Sequence, residues 1–485
     1  MKRYIIGLDA GTTSVRSVVY DIVTHKIVAL KRANIRQYYP HKGWVEQDAE
    51  EIFFMLKSTL EEVINEMDKP LDDYIGIGLT NQRETVVAFN RESGKPVSKA
   101  IVWQDRRTNE MIENIPTKLK NKIKAKTGLI PNAYFSASKM QWIKQNVKRA
   151  IDLDKSGKLF VGTLDAYLAS KFTGYFVTDT TNASRTMLFN IHTMDWDDEL
   201  LKLFDIKREN LPKVIASNQH VGTVREIGLP LLSIIGDQQS SLVGNGALSA
   251  GMAKNTYGTG CFIMLNTGNT PVESDNILTT IGYTIGSKTT YALEGSIFSA
   301  CSALNWAKQN LDLTEDFESL DKKMKALGSN GGVYFVPAFT GLGAPYWSSS
   351  AEAGIFGMTF DSNRYTIMRA VYESMAYNTK AIIDEMIKNN KIKFSELRVD
   401  GGGSNSKFLT QFQADMLDTP VLTGDSSEAT VLGCIYLAGL SAGVFDLGTL
   451  EKLTKPTHSF IPNMDKETRK KLYDGWNKAV AKTIQ

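Results

Sequence analysis

A glycine-threonine turn set between two apolar, strand-forming runs occurs twice in this chain, and no other feature limits the possible fold as strongly. The first copy is Ile5-Ile6-Gly7-Leu8-Asp9-Ala10-Gly11-Thr12-Thr13-Ser14, and the second is Asn255-Thr256-Tyr257-Gly258-Thr259-Gly260-Cys261-Phe262. In each, β-prone residues run into the turn and out again, as in a hairpin. Glycine there lets backbone N–H groups approach an anion closely, and the adjacent hydroxyls add donors. Two such turns facing each other can grip the ends of one triphosphate. They stand about half a chain length apart, and 485 residues are too many for one core, so two related halves are expected.

Asp9 ends an otherwise apolar strand, where a carboxylate is costly unless it meets a cation or donors. Beside a phosphate-binding turn it is placed to hold Mg²⁺ through water. The competing reading is a buried ion pair with Arg16. Hydrophobic content of 42% and charged content of 22% exclude disorder, and a net charge of +3 without a basic stripe argues against nucleic acid as the main partner. The Lys-rich segment 118–126 reads as a solvated helix face. Cys261, Cys301 and Cys434 lie far apart in apolar settings, as reduced cytosolic thiols do, and the five histidines lack metal-ligand spacing. The basic start Met1-Lys2-Arg3 leads to no signal-peptide core, and no run reaches membrane-spanning length, so a cytoplasmic protein with no membrane insertion is expected.

Residues 4–8, 15–20 and 26–30 read as strands, and 48–67 as a helix capped by Asp48. A strand at 75–79 ends in Asn81-Gln82-Arg83-Glu84, and one at 231–235 ends in Gly236-Asp237-Gln238-Gln239 and runs into a helix. Polar residues at the ends of buried strands are site candidates. Gly244, Gly246, Ser249 and Gly251 mark a boundary, dividing the chain into 1–245 and 246–485. A third element, 397–406, reads as strand, triple-glycine turn and helix; bare backbone there offers a face for a ring or sugar, although a simple tight turn gives the same pattern.

Over essentially its whole length the chain resembles the FGGY family of carbohydrate kinases, most closely the members that phosphorylate glycerol. The resemblance rests on the first turn, on Tyr39-Pro40 with Gly43-Trp44-Val45-Glu46, and on Tyr134-Phe135-Ser136 with Lys139, Trp142, Gln145 and Asn146. It extends through the runs Thr178 to Phe189 and Pro337 to Trp347. It implies an α/β fold of two ribonuclease H-like domains, of the actin and hexokinase type, around a central cleft. It also implies ATP-dependent conversion of glycerol to sn-glycerol 3-phosphate with Mg²⁺, and a homodimer or homotetramer. Polyol contacts carry over to Arg83, Glu84, Trp103, Tyr134, Asp237, Gln238 and Phe262, with Asp237 as general base. Nucleotide contacts carry over to Thr12, Thr13, Ser14, Arg16, Thr259 and Gly402, and the metal to Asp9.

Ala10, Cys301, Asn305, Ser406 and Thr366 depart from the family pattern; Cys301 should narrow the nucleotide space, and Ser406 replaces an Asn near the adenine. The segment 222–233 lacks both the Gly- and Arg-rich loop tied to fructose-1,6-bisphosphate inhibition and the His-bearing loop phosphorylated in some relatives. Neither form of regulation is expected. Competing assignments are a kinase for erythritol, dihydroxyacetone or a pentulose, and an actin-like nucleotide-gated scaffold without catalysis.

Overall fold

Tyr4–Ala10 (β1), Ser14–Asp21 (β2) and Lys26–Asn34 (β3) form an antiparallel meander in the computed structural model, which describes residues 2–313, 315–388, 392–424 and 428–484. Ala49–Met67 (α1) follows, capped by Asp48, whose side chain accepts from the backbone of Glu50 and Glu51. Tyr74–Asn81 (β4) then lies parallel to β1. Gly222–Thr223 (β5) and Pro230–Gly236 (β6) complete a sheet of order β5-β6-β4-β1-β2-β3. Asp237–Gly244 (α2) leaves the end of β6.

The second half repeats this plan. Met252–Tyr257 (β7), Cys261–Gly268 (β8), Leu278–Ile285 (β9) and Lys288–Ile297 (β10) are antiparallel neighbours; Arg364–Ile387 (α3) crosses to Glu396–Asp400 (β11), parallel to β7. Lys407–Leu417 (α4), Val421–Thr423 (β12), Ala429–Ser441 (α5) and His458–Phe460 (β13) follow. The sheet order is β9-β10-β8-β7-β11-β12-β13. Stripped of edge strands, both sheets read third, second, first, fourth, fifth. These are two ribonuclease H-like sheets in one α/β protein, as the repeated turn implied.

The halves are joined by exchanging helices. Helix α5 lies on the first sheet: a Cβ on Gly7 would stand 2.6 Å from Val431 Cγ2, and one on Gly78 would stand 2.4 Å from the Cys434 carbonyl. Helix α2 lies against the second sheet, with Ser241 Oγ 3.1 Å from Thr256 Oγ1 and Gln239 Nε2 donating to the Ile281 carbonyl at 3.1 Å. The two helices cross where Gly433 meets the Ser240 carbonyl, so closely that a Cβ would approach it to 1.9 Å. Ile5, Val18, Ile235, Leu242, Met264, Val431 and Ile435 share one buried core there. This crossing sets Asp237, the first residue of α2, between the sheets.

Candidate active site

Both glycine-threonine segments are hairpin turns. Ala10 pairs with Val15 and Gly11 N donates to the Ser14 carbonyl at 3.1 Å, closing the first; Tyr257 pairs with Cys261 and Gly258 N donates to the Gly260 carbonyl at 3.0 Å, closing the second. Thr13 and Thr259 are exposed and Thr12 is half-buried. Ser14 Oγ accepts from Arg32 Nε at 3.0 Å, which leaves its own proton to donate. The Thr259 carbonyl accepts from the N–H of Ala300 and Ser302 at 2.9 and 3.2 Å, pinning the helix Cys301–Asn310 against the second turn.

Arg83 and Glu84 follow β4 and are buried, and Glu84 has left-handed backbone (φ 61°), a strained conformation for a residue with a long side chain. The strain is held by neighbours. Arg83 donates to Glu294 with both terminal nitrogens, at 2.7 and 2.8 Å, and its Nε lies 3.2 Å from Asp237 Oδ1. Arg185 Nε donates to Glu84 Oε1 at 2.6 Å and Nη2 to Glu294 Oε1 at 3.2 Å. Two arginines and three carboxylates thus form one chain of charge across the cleft, each buried member paired as low dielectric requires. Burial alone would raise the Glu294 carboxyl, but Arg185 and Arg83 outweigh it and bring it to about 2. Burial pushes Asp237 the other way, up to about 6; Arg83 opposes the rise, and the negative charges of Glu84 and Asp9 add to it.

The ring of Trp103 meets Tyr134 edge-on at 5.6 Å between centroids and Phe262 at 6.4 Å. The Tyr134 ring also lies 5.7 Å from the guanidinium of Arg185, the partner of Glu84. Trp103 Nε1 donates to Thr12 Oγ1 at 3.0 Å, tying these rings to the first glycine-threonine turn. Gln238 accepts from Lys254 Nζ, which also donates to Thr256 Oγ1 at 3.0 Å. Burial brings the Lys254 amine down to about 8, against the pull of Asp400 and Glu294.

Asp9 is buried and pairs with Arg16, and both contacts fall on its Oδ2; Arg16 reaches on to Glu428 at 2.6 Å. The ion pair weighed from the sequence is therefore present. It does not exhaust the Asp9 carboxylate. A second carboxylate, Asp237, is near enough to feel its charge, and no cluster of three acidic, His or Cys ligands occurs among the described residues. Such a donor set fits an ion that keeps its waters and takes the rest of its ligands from substrate phosphates, as Mg²⁺ does.

Gly402 is exposed, and a Cβ there would meet nothing within 4 Å, so its face is open to a flat ligand. Gly401 and Gly403 press against Tyr257. Cys301 Sγ lies 3.6 Å from the Tyr257 carbonyl, beside Gly403, whereas Asn305 is exposed. Ser406 immediately precedes α4. Its side chain caps α4 by accepting from Leu409 N at 3.1 Å and donates to Asp321 Oδ1 at 2.6 Å, so it is turned inward and buried.

Sequence reasoning assigned no role to Arg185, Glu294 or Lys254. Glu294 carried a signal, a charged residue inside the otherwise apolar run Tyr291-Ala292-Leu293-Glu294-Gly295, whereas Arg185 and Lys254 stand among polar residues and carried none.

The comparisons with known proteins cover both halves. Residues 4–244 match the N-terminal domain of the FGGY family of carbohydrate kinases, and residues 253–442 match its C-terminal domain. The whole chain is 44% identical to 99% of a glycerol kinase of Natranaerobius thermophilus and 45% identical to 98% of one from Thermococcus gammatolerans. The chain belongs to the FGGY family. A crystal structure of Plasmodium falciparum glycerol kinase with ADP superposes on 99% of this FGGY chain, with a TM-score of 0.93 over 98% of its own length and 36% identity. A ligand-bound xylulose kinase of Lactobacillus acidophilus, at 24% identity and a TM-score of 0.89, shares the fold alone.

Proposed function

We propose that this FGGY kinase transfers the γ-phosphoryl group of ATP to the terminal hydroxyl of glycerol, giving sn-glycerol 3-phosphate and ADP. One observation carries the reading: the Asp237 carboxylate lies 3.2 Å from Arg83 and near enough to Asp9 of the first turn to feel its charge, while Trp103 joins the Tyr134 and Phe262 rings to Thr12 of that same turn. Glycerol is polar along one edge and apolar along its carbon chain, and Arg83 with Glu84 suits the hydroxyls while Trp103, Tyr134 and Phe262 suit the carbons. Gln238, oriented by Lys254, adds a further polar contact.

Asp237 accepts the hydroxyl proton as that oxygen attacks phosphorus; the new O–P bond forms as the bond to the β,γ-bridging oxygen breaks, and ADP leaves. Arg83, 3.2 Å from Asp237, opposes its neutralisation and keeps it competent as a base at neutral pH. Backbone N–H groups and hydroxyls at Thr12, Thr13, Ser14 and Thr259 take the phosphate oxygens, Arg16 adds positive charge, and Gly402 takes the nucleotide's flat face. When bound through Asp9 and water, Mg²⁺ supplies charge neutralisation on the phosphoryl oxygens. Closure of segments 1–245 and 246–485 as two domains over the bound substrates would exclude water as a competing acceptor.

No helix among the described residues is long and apolar enough to cross a membrane. Exposed Met358 and Phe360 offer apolar surface for a homodimer or homotetramer, which sedimentation would detect.

A coupled ADP-release assay with Mg-ATP over glycerol, dihydroxyacetone, erythritol, ribulose and xylulose, with a no-acceptor control, tests the assignment. Turnover far more efficient on glycerol and abolished by a chelator is expected. Comparable efficiency on a four- or five-carbon acceptor would overturn the glycerol reading, and persistence without a divalent ion would remove the role given to Asp9.

A further inference from the structure

Lys139 stands in the first turn of the helix Ser136–Asn146 and is fully buried. Both facts are unfavourable in isolation. An ammonium group near a helix N-terminus opposes the helix dipole, and burial strips its water. Its Nζ makes up for this by donating to three successive backbone carbonyls, those of Ala133 at 2.7 Å, Tyr134 at 2.5 Å and Phe135 at 3.2 Å. Three N–H groups meet three acceptors, the full donor inventory of a protonated lysine.

We propose that Lys139 is the positioning residue that holds the Tyr134 ring in the polyol pocket by fixing the peptide groups on both sides of it. This rests on the reading of Tyr134 as part of that pocket. The Ala133 carbonyl belongs to the peptide plane before Tyr134, and the Tyr134 carbonyl to the plane after it. Because peptide planes are rigid, anchoring both to one nitrogen fixes φ and ψ of Tyr134 together and so aims its Cα–Cβ bond. Neither torsion can turn without breaking a charge-assisted hydrogen bond.

The surroundings lock the same turn. Asn132 Oδ1 accepts from Tyr134 N at 2.9 Å and from Arg106 Nη1 at 3.1 Å, and Ser136 Oγ donates to the Glu84 carbonyl at 3.1 Å. The aimed ring then meets Trp103 at 5.6 Å and lies 5.7 Å from the Arg185 guanidinium. Burial lowers the Lys139 amine to about 7; Glu84 and Asp105 favour its charge, and Arg106 and Arg107 oppose it. Losing the proton removes one N–H and turns a lone pair toward a carbonyl, so the clamp loosens as pH rises through that range.

Lys139→Met keeps the length and apolar stem and removes the donors. The expected result is a glycerol KM raised about tenfold or more, with kcat and the KM for ATP within about threefold of wild type. A second signature comes from the unmodified enzyme, whose glycerol KM should rise severalfold between pH 6 and pH 8.5 while its ATP KM does not; in Lys139→Met most of that rise should be gone, leaving only what the titration of Lys254, the partner of Gln238, contributes. A glycerol KM within twofold of wild type in Lys139→Met overturns the proposal. If that variant is insoluble, a flat wild-type glycerol KM over the same pH range overturns it instead. Tyr134→Ala separates the two layers: an unchanged glycerol KM there removes Tyr134 from the pocket and the premise with it, whereas a raised KM beside a silent Lys139→Met rejects the clamp alone.

Discussion

Replacing Asp237 by Asn removes a charge while keeping the shape of the side chain, and its two effects should point in opposite directions. Burial raises this carboxyl from 3.8 to about 6. At about 1.4 kcal/mol per pKa unit, the shift amounts to about 3 kcal/mol. The folded value lies above the unfolded one, so between about pH 4 and pH 6 the folded chain binds more protons, and stability falls as pH rises through that window. Above it, the ionised group costs the fold up to about 3 kcal/mol, a penalty that Asn does not carry. Asn does forfeit the contact with Arg83, but Arg83 keeps its two bonds to Glu294. Asp237→Asn should therefore melt higher than wild type at pH 8, with the advantage gone near pH 4. Turnover should fall by about 10² to 10⁴, the contribution of a general base, with glycerol binding retained. For the wild type, kcat/KM should drop about tenfold per pH unit below about pH 6. The measurements are ADP release under saturating glycerol and thermal melts at both pH values. A loss of less than about tenfold, or a lower melting temperature at pH 8, would refute the reasoning.

Glu294→Gln strips Arg83 and Arg185 of their shared buried carboxylate and should cost about 3–5 kcal/mol, read as a shift in urea midpoint, together with a raised glycerol KM. Gly433→Ala places a Cβ 1.9 Å from the Ser240 carbonyl and should destabilise by about 1–3 kcal/mol or more, seen in melting temperature and soluble yield. Trp103→Phe removes the 3.0 Å hydrogen bond to Thr12 and should raise the KM for both glycerol and ATP, by about the fivefold that 1 kcal/mol or so allows, in steady-state assays. Fructose-1,6-bisphosphate should leave activity unchanged, because β5 returns to β6 through a tight turn in which Val224 N donates to the Leu229 carbonyl at 2.8 Å; clear inhibition would contradict this.

Near-neighbour physics made much of this protein legible before any fold was known. Asp48 caps α1 because its side chain needs only the next few N–H groups, and both glycine turns close on donors and acceptors within the turn itself. Strand bounds were off by only a residue or so for Pro230–Gly236 and by four at the end of Lys26–Asn34, whose exposed, alternating side chains lack the apolar signal of a buried run. The family motifs carried Arg83, Glu84, Trp103, Tyr134 and Asp237, and the fold draws them to one place. The tertiary structure alone decided how their charges are held. Arg83 and Glu294 are 211 residues apart, and Arg185 and Glu294 are 109 apart, so neither pairing leaves a local trace beyond the one ion, Glu294, in an apolar run. The same holds for Ser406, drawn inward by Asp321 85 residues away, and for the exchange of α2 and α5 between the sheets. A turn or a cap is set by residues a few bonds apart, whereas a buried charge is tolerable only once folding brings its partner across the chain.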